Sequence, residues 1–131
     1  MIKALLTLTE VGMLLYWAIA GLSAMGFLAI PPDWMYSDYR NPVIIAWNWS
    51  FFPIDVIFAV SGLIATFGHM KPQSRERLQI FALTLMFCAG LMAISFWVIR
   101  GSFSPFWWGV NIWLMLLPCL TFASYSREKG D

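Results

Sequence analysis

Two carboxylic acids, Glu10 and Asp55, lie inside long apolar runs of this sequence. An ionisable side chain within a membrane span is expensive, so it faces a protein interior or a wet cavity and often marks a functional site. At 1.5 Å per residue Asp55 stands about 18 Å into its run, near the middle of a bilayer, where it needs a partner, a proton or a cation. Glu10 stands about 8 Å into its run, so an interfacial acid that extends toward water is the alternative to a functional role.

A polar and aromatic face surrounds Asp55. Asn48 precedes it by seven residues, which places both side chains on one face of a helix. Trp47 and Trp49 flank Asn48, and Pro53 lies between Asn48 and Asp55. A proline inside a transmembrane helix withdraws a backbone hydrogen bond and bends the helix, often around a cavity. The second apolar run is therefore expected to bend beside its acid.

The first and last apolar runs carry similar faces. Trp17 follows Glu10 by seven residues and shares its face, whereas the adjacent Tyr16 is predicted to point about 100° away. Asn111 and Met115 share a face in the last run, which also contains Pro118. The bundle interior is therefore expected to hold two carboxyl groups, two asparagines and several indole rings.

Indole faces and a carboxylate together stabilise a cationic centre on a hydrophobic ligand. The predicted ligand-binding residues are Glu10, Trp17, Trp47, Asn48, Trp49, Asp55, Asn111 and Met115. Two alternatives remain open. In the first, the polar residues hydrogen-bond one another and only hold the bundle together, at about 1 kcal/mol or less per contact. In the second, the acids move protons or cations.

Metal and cofactor sites are not expected. Cys88 and Cys119 lie deep in apolar runs without Cys-x-x-Cys spacing, and His69 is the single histidine. Isolated apolar thiols are ordinarily packing groups, and one histidine excludes bis-histidine haem ligation within the chain. A net charge of +1 without a basic arm also argues against nucleic-acid binding.

The composition predicts that membrane helices position these side chains. Of the 131 residues, 60% are hydrophobic and 11% charged, whereas close to a quarter of a soluble domain is charged. Four runs are long enough to cross about 30 Å of hydrocarbon. Their approximate bounds are residues 4–30, 43–68, 78–99 and 105–125. We therefore expect one all-α domain over residues 1–131, an integral membrane four-helix bundle.

The distribution of basic residues predicts the orientation of the spans. The amino end, the second loop and the carboxyl tail hold six basic residues, and the first and third loops hold two. The six are Lys3, Lys71, Arg75, Arg77, Arg127 and Lys129, and the two are Arg40 and Arg100. Both termini are therefore expected to be cytoplasmic, in a cell membrane.

The segment DYRNPVIIAWNWSFFPID resembles the YvaD-like family of small uncharacterised bacterial membrane proteins, and this resemblance covers most of the chain. The spacing of Trp47, Ser50-Phe51 and Asp55 is more distantly similar to the second helix of EXPERA-domain proteins, which include the emopamil-binding sterol isomerase and the sigma-2 receptor. The second resemblance implies a pocket that opens sideways into lipid and binds sterol-like or cationic amphiphilic molecules, with Asp55 as its buried acid.

The leading hypothesis is a membrane bundle that binds a hydrophobic or cationic amphiphilic molecule, such as a sterol or isoprenoid. If it is an enzyme, Asp55 is the expected catalytic residue and donates a proton in an isomerase-like reaction. The alternatives are a proton-coupled transporter that works as a homodimer, and an accessory or immunity-type membrane subunit whose polar residues serve packing alone.

Overall fold

The protein is a bundle of long helices. The computed structural model describes residues 1–31, 34 and 38–130, with side chains through residue 125. The helices are α1 (Ile2–Ala24), α2 (Pro42–Ser50), α3 (Phe52–Phe67), α4 (Pro72–Arg100) and α5 (Pro105–Gly130). Four segments are long and apolar enough to cross a membrane: Ile2–Ala24, Pro42–Phe67, Pro72–Arg100 and Pro105–Tyr125. The predicted all-α, four-helix membrane architecture is confirmed.

The first helix ends at Ala24, earlier than the expected end near Ile30. Gly26 adopts a left-handed conformation with φ of 79°. Its N–H bonds to the Ser23 carbonyl at 3.0 Å, and the Phe27 N–H bonds to the Leu22 carbonyl at 2.9 Å. This is a Schellman cap, which a glycine permits and which ends the helix although the apolar run continues.

Helix α4 begins at Pro72, not near Leu78 as expected from hydropathy. Pro72 occupies the first helical turn, where its missing N–H costs nothing. The polar residues that follow it extend the helix beyond the apolar run, because a helix need not stop at the edge of hydrocarbon. At the other end Gly101 has φ of 68° and caps the helix.

The second span is interrupted where α2 meets α3. Asn41 caps α2 by accepting a hydrogen bond from the Val43 N–H at 3.0 Å. The helix then breaks at Phe51, whose N–H bonds to the Asn48 carbonyl at 3.1 Å. Pro53 explains the break, since it has no N–H and its ring clashes with the carbonyl four residues earlier. Asp55 consequently lies in the first turn of α3.

Neighbouring helices pack in the order α1, α3, α4 and α5, and α1 and α5 approach each other at few points. The α1–α3 pair is antiparallel: Trp17 bonds to Asp55, and near the opposite end Lys3 lies over the ring of Phe67. The core of the bundle consists of apolar side chains from several helices, such as Phe58, Leu83, Met86, Leu114 and Leu117.

Helices α4 and α5 make their closest approach at Gly90. A Cβ at this position would lie 2.5 Å from the Asn111 carbonyl oxygen and 3.0 Å from Met115 Cγ. Backbone approach of this kind depends on small residues, because between membrane helices van der Waals contact replaces the hydrophobic effect.

We expect Gly90→Ala to destabilise the protein by about 1–3 kcal/mol, since the methyl group would push α5 away from α4. The free energy of unfolding in detergent micelles titrated with sodium dodecyl sulfate measures this loss. Gly21→Ala is the matched control, because a Cβ there has nothing within 4 Å. Equal stability of the two variants would contradict the close approach at Gly90.

Candidate functional site

A cavity of about 410 Å³ lies within the bundle, bordered by residues of all five helices. Most of its wall is apolar, and the described lining residues include no basic side chain. Its aromatic members are Tyr16, Trp17, Trp47, Phe51, Trp97, Phe106, Trp107 and Trp113, and its polar members include Thr9, Asn48, Asp55 and Asn111. Cavities of this size and composition hold small organic ligands.

Asp55 is the acid in the cavity wall. Its Oδ2 accepts a hydrogen bond from the indole Nε1 of Trp17 at 2.9 Å, and both residues are buried, at 6% and 4% exposed. Because a carboxylate accepts hydrogen bonds at two oxygens, this contact leaves the other oxygen for a ligand. The break before Pro53 also places Asp55 in the first turn of α3, where the helix dipole favours a negative charge.

Other aromatic rings hold the indole of Trp17 in place. Trp49 packs against it with ring centroids 5.3 Å apart, and Phe52 makes an edge contact at the same distance. Tyr16 contacts it at 5.0 Å on another side. Edge and tilted contacts of this kind are favourable and restrict ring rotation, so the indole N–H remains directed at Asp55. Trp49 thus supports the wall from outside and does not line the cavity.

The two predicted asparagines both border the cavity, in different hydrogen-bonding states. Asn111 Nδ2 donates to the Trp107 carbonyl of its own helix at 2.8 Å. Asn48 Nδ2 is buried and has no hydrogen-bond partner among the described residues. A buried donor without a partner costs about 1–3 kcal/mol, so Asn48 is a polar group that a ligand can satisfy.

Glu10, Trp49 and Met115 were predicted as ligand-binding residues but do not line the cavity. Met115 packs beside Gly90 between α4 and α5. Glu10 is fully buried, at 0% exposed, against Gly62 of α3, where a Cβ would lie 2.6 Å from Glu10 Cδ. The alternative in which Glu10 reaches water as an interfacial acid is therefore wrong, because α3 covers it.

The two acids lie at different depths along the α1–α3 pair. Trp17 contacts Asp55, and Glu10 contacts Gly62. Along each helix these two contacts are seven residues apart. At 1.5 Å per residue the acids are separated by about 10 Å along the helix axis. They do not share one polar site.

The cavity includes residues that the sequence patterns missed. Tyr16 lines it, contrary to the expectation that its ring points away, and packs against Trp107 at 5.8 Å. Trp113 donates its indole N–H to Thr9 Oγ1 at 2.9 Å. The spacing of Thr9, Met13 and Tyr16, at intervals of four and three residues, could have predicted that Tyr16 lines the cavity, because it places these residues on one face of α1.

No metal site accompanies the cavity in the part of the chain that the structure describes. No group of three or more His, Cys, Asp or Glu side chains there is arranged to hold an ion. The thiols of Cys88 and Cys119 are free and lie outside the cavity wall.

Comparison with known proteins identifies relatives but no activity. The DUF5360 family, described as a family of unknown function, matches residues 2–130. The Uncharacterized protein YvaD of Bacillus subtilis (strain 168) is 36% identical over 129 residues, which cover 98% of this chain and 92% of that protein. No solved structure matches. These results support the YvaD-like resemblance and do not show the more distant likeness to EXPERA-domain proteins.

The Asp55–Trp17 hydrogen bond can be measured by a double-mutant cycle of Asp55→Asn and Trp17→Phe. We expect a coupling energy of about 0.6 kcal/mol and at most about 1.7 kcal/mol, the range found for hydrogen bonds between membrane helices. The readout is the free energy of unfolding in mixed micelles.

A cycle of Asp55→Asn with Trp113→Phe is the matched control, since the Trp113 indole bonds to Thr9 and not to the acid. This control should give no coupling beyond about 0.3–0.5 kcal/mol. Equal coupling in both cycles would mean that the Trp17 indole does not act on Asp55 specifically.

Proposed function

The chain belongs to the DUF5360 family, whose function is unknown, and we propose from the geometry of its cavity that this multi-pass membrane protein binds a hydrophobic molecule with a cationic centre. The observation that carries the proposal is the Asp55 carboxyl group, fixed by the Trp17 indole in the wall of an otherwise mainly aromatic cavity. Asp55, Asn48, Trp17, Trp47 and Asn111 are the proposed ligand contacts.

Charge balance favours a cationic ligand over an anionic or neutral one. The described lining residues include one acidic residue, Asp55, and no basic residue that would neutralise its charge. A cation supplies the missing charge and gains further stabilisation from indole faces, which contribute about 2 kcal/mol or more where water is excluded. The remaining wall is apolar, so the cation should be carried on a hydrophobic body.

Access to the cavity is proposed to run between α1 and α5. These helices approach each other at few points, and side chains bridge the gap: Trp113 bonds to Thr9, and Tyr16 packs against Trp107. Rotation of such side chains is faster and less costly than separation of two helices. A ligand dissolved in the bilayer can therefore enter sideways without disturbing the α3–α4 core.

We also propose that both termini lie on the cytoplasmic side. Lys3 and Arg75 lie at one end of the bundle, where they contact Phe67 and the Gly68 carbonyl. Arg100 pairs with Asp38 at the other end, where fewer basic residues occur. Of the residues counted for orientation, Arg127 and Lys129 lie beyond the last described side chain. The more basic end is the one retained in the cytoplasm.

The proposal predicts a charge-selective stabilisation of the purified protein. Dibenzylamine, a cation at pH 7, and dibenzyl ether, its neutral analogue, are compared by thermal unfolding in detergent. Dibenzylamine at 100 times its Kd should stabilise the wild type by about 2.7 kcal/mol. Asp55→Asn should weaken amine binding at least tenfold, because the variant loses the negative charge.

Asp38→Asn is the control for loss of an acid outside the cavity, since Asp38 is exposed and pairs with Arg100. It should bind the amine as the wild type does. Equal stabilisation by amine and ether, or no stabilisation by either, would contradict a cation site.

A second candidate, proton-coupled transport of the same ligand, is favoured by Glu10. This carboxyl group is fully buried and has no hydrogen-bond partner among the described residues. In a purely binding protein an unpartnered buried acid has only a cost. In a transporter it exchanges protons as the ligand moves, in a single copy of the chain or in a homodimer.

Glu10→Gln distinguishes transport from binding, because it removes proton exchange and leaves the Asp55 cavity intact. In proteoliposomes with an acidic interior, the wild type should accumulate dibenzyldimethylammonium, a permanent cation that cannot cross the bilayer as a neutral base, above the level of protein-free vesicles, and Glu10→Gln should not. Both proteins should bind this cation equally in detergent. Accumulation equal to that of protein-free vesicles would exclude transport and leave the binding proposal untouched.

A further inference from the structure

A second cavity, of about 530 Å³, lies near the end of the bundle that holds Lys3 and Arg75. Residues of α1, α3, α4 and α5 border it, and it shares no lining residue with the first cavity. Its polar members include Lys3, Thr66, Arg75, Gln79, Thr121 and Ser124. Two cationic side chains thus line a cavity whose described wall contains no acid, the reverse of the arrangement around Asp55.

Gln79 is the unsatisfied group in this cavity. The residue is 7% exposed, and its amide Nε2 is buried without a hydrogen-bond partner among the described residues. The hydroxyl groups of Thr121 and Ser124 donate to carbonyl groups of their own helix, at 2.8 Å to Leu117 and 2.9 Å to Thr121, and neither accepts a hydrogen bond from the Gln79 amide. A buried amide donor is stable beside a cavity when a ligand supplies an acceptor.

Among the described residues, the two cations make only weak contacts. Arg75 Nη2 lies 3.3 Å from the Gly68 carbonyl, which uses one of its five N–H groups, and Lys3 Nζ lies 5.4 Å from the Phe67 ring centroid. Both side chains line the cavity and are exposed, so they can adjust their positions when a ligand binds. Glu76 borders a smaller neighbouring cavity and does not line this one.

We propose that this cavity binds a phosphate group, carried on an anionic lipid or free in solution. Arg75 and Lys3 supply positive charge, and the Gln79 amide donates the buried hydrogen bond. Arginine matches phosphate oxygens with two parallel N–H groups, and basic pockets between transmembrane helices on the cytoplasmic side bind lipid head groups. This site is independent of the proposed cation site, because the two cavities have no lining residue in common.

Thermal unfolding of the purified full chain in a neutral detergent tests the site with three probes. Dioctanoyl phosphatidylglycerol carries chains and phosphate, dioctanoylglycerol carries the chains alone, and inorganic phosphate is compared with chloride at equal ionic strength. The phosphate-bearing probes should raise the melting temperature, and dioctanoylglycerol should not. A higher affinity for phosphatidylglycerol identifies a lipid site, and equal affinities identify a site for free phosphate.

Variants locate the site within the chain. Arg75→Gln and Lys3→Gln should each weaken phosphatidylglycerol binding about fivefold, the effect of one basic residue near an anionic lipid. Gln79→Leu should leave the lipid-free protein as stable as the wild type or more so, because it removes an unpartnered donor, and should weaken binding severalfold. This combination separates a ligand contact from a structural role, which would lower the stability.

Arg77→Gln is the matched control, because Arg77 has the same charge in the same turn of α4 and lines none of the described cavities. It should bind phosphatidylglycerol within twofold of the wild type. The proposal is overturned if Arg77→Gln weakens binding as much as Arg75→Gln, if Gln79→Leu binds like the wild type, or if dioctanoylglycerol stabilises the protein equally.

Discussion

The carboxyl group of Asp55 and the indole N–H of Trp17 depend on each other, because hydrocarbon offers a hydrogen-bond partner to neither. Their contact fixes the register of α1 against α3, and the same register brings Glu10 onto Gly62, where only a glycine leaves room. The break at Phe51 places the acid at the start of a helix, and the neighbouring aromatic rings orient the indole. One hydrogen bond thus connects the backbone break, the helix register and the cavity wall.

The cavity exists because the helices are not equally close around the bundle. Gly90 allows the α4 backbone to approach α5, and small residues such as Ala59 and Gly62 bring α3 close to α1. Between α1 and α5 the contacts are made by large aromatic side chains, so the backbones remain apart. Large rings that bridge a gap cannot fill it completely, and the remaining space becomes the cavity.

The sequence was informative about periodic features and less so about helix ends and ring directions. Asn48, Asp55 and Pro53 predicted a bent polar face because their spacing is a property of one helix, and the structure brings both polar residues to the cavity. Met115 and Glu10 do not line the cavity, because a helix face becomes a cavity wall only where its neighbours leave space, and here α4 packs against Met115 and α3 packs against Glu10. The end of α1 was missed because hydropathy continues past Gly26, whereas the backbone cap does not depend on hydropathy.

The polar groups left without partners bear on what the two cavities are for. Asn48 Nδ2 and Gln79 Nε2, each buried and unpaired among the described residues, border the first and second cavity respectively. A leucine at either position would avoid a cost of about 1–3 kcal/mol, so a protein whose only requirement was a stable bundle would gain by losing these amides. These amides lie beside cavities of opposite charge, one with a carboxyl group and one with two cations. Ligand binding in each cavity explains why the amides are located there. The same reasoning separates Glu10 from both amides, since Glu10 adjoins a glycine and lines neither cavity.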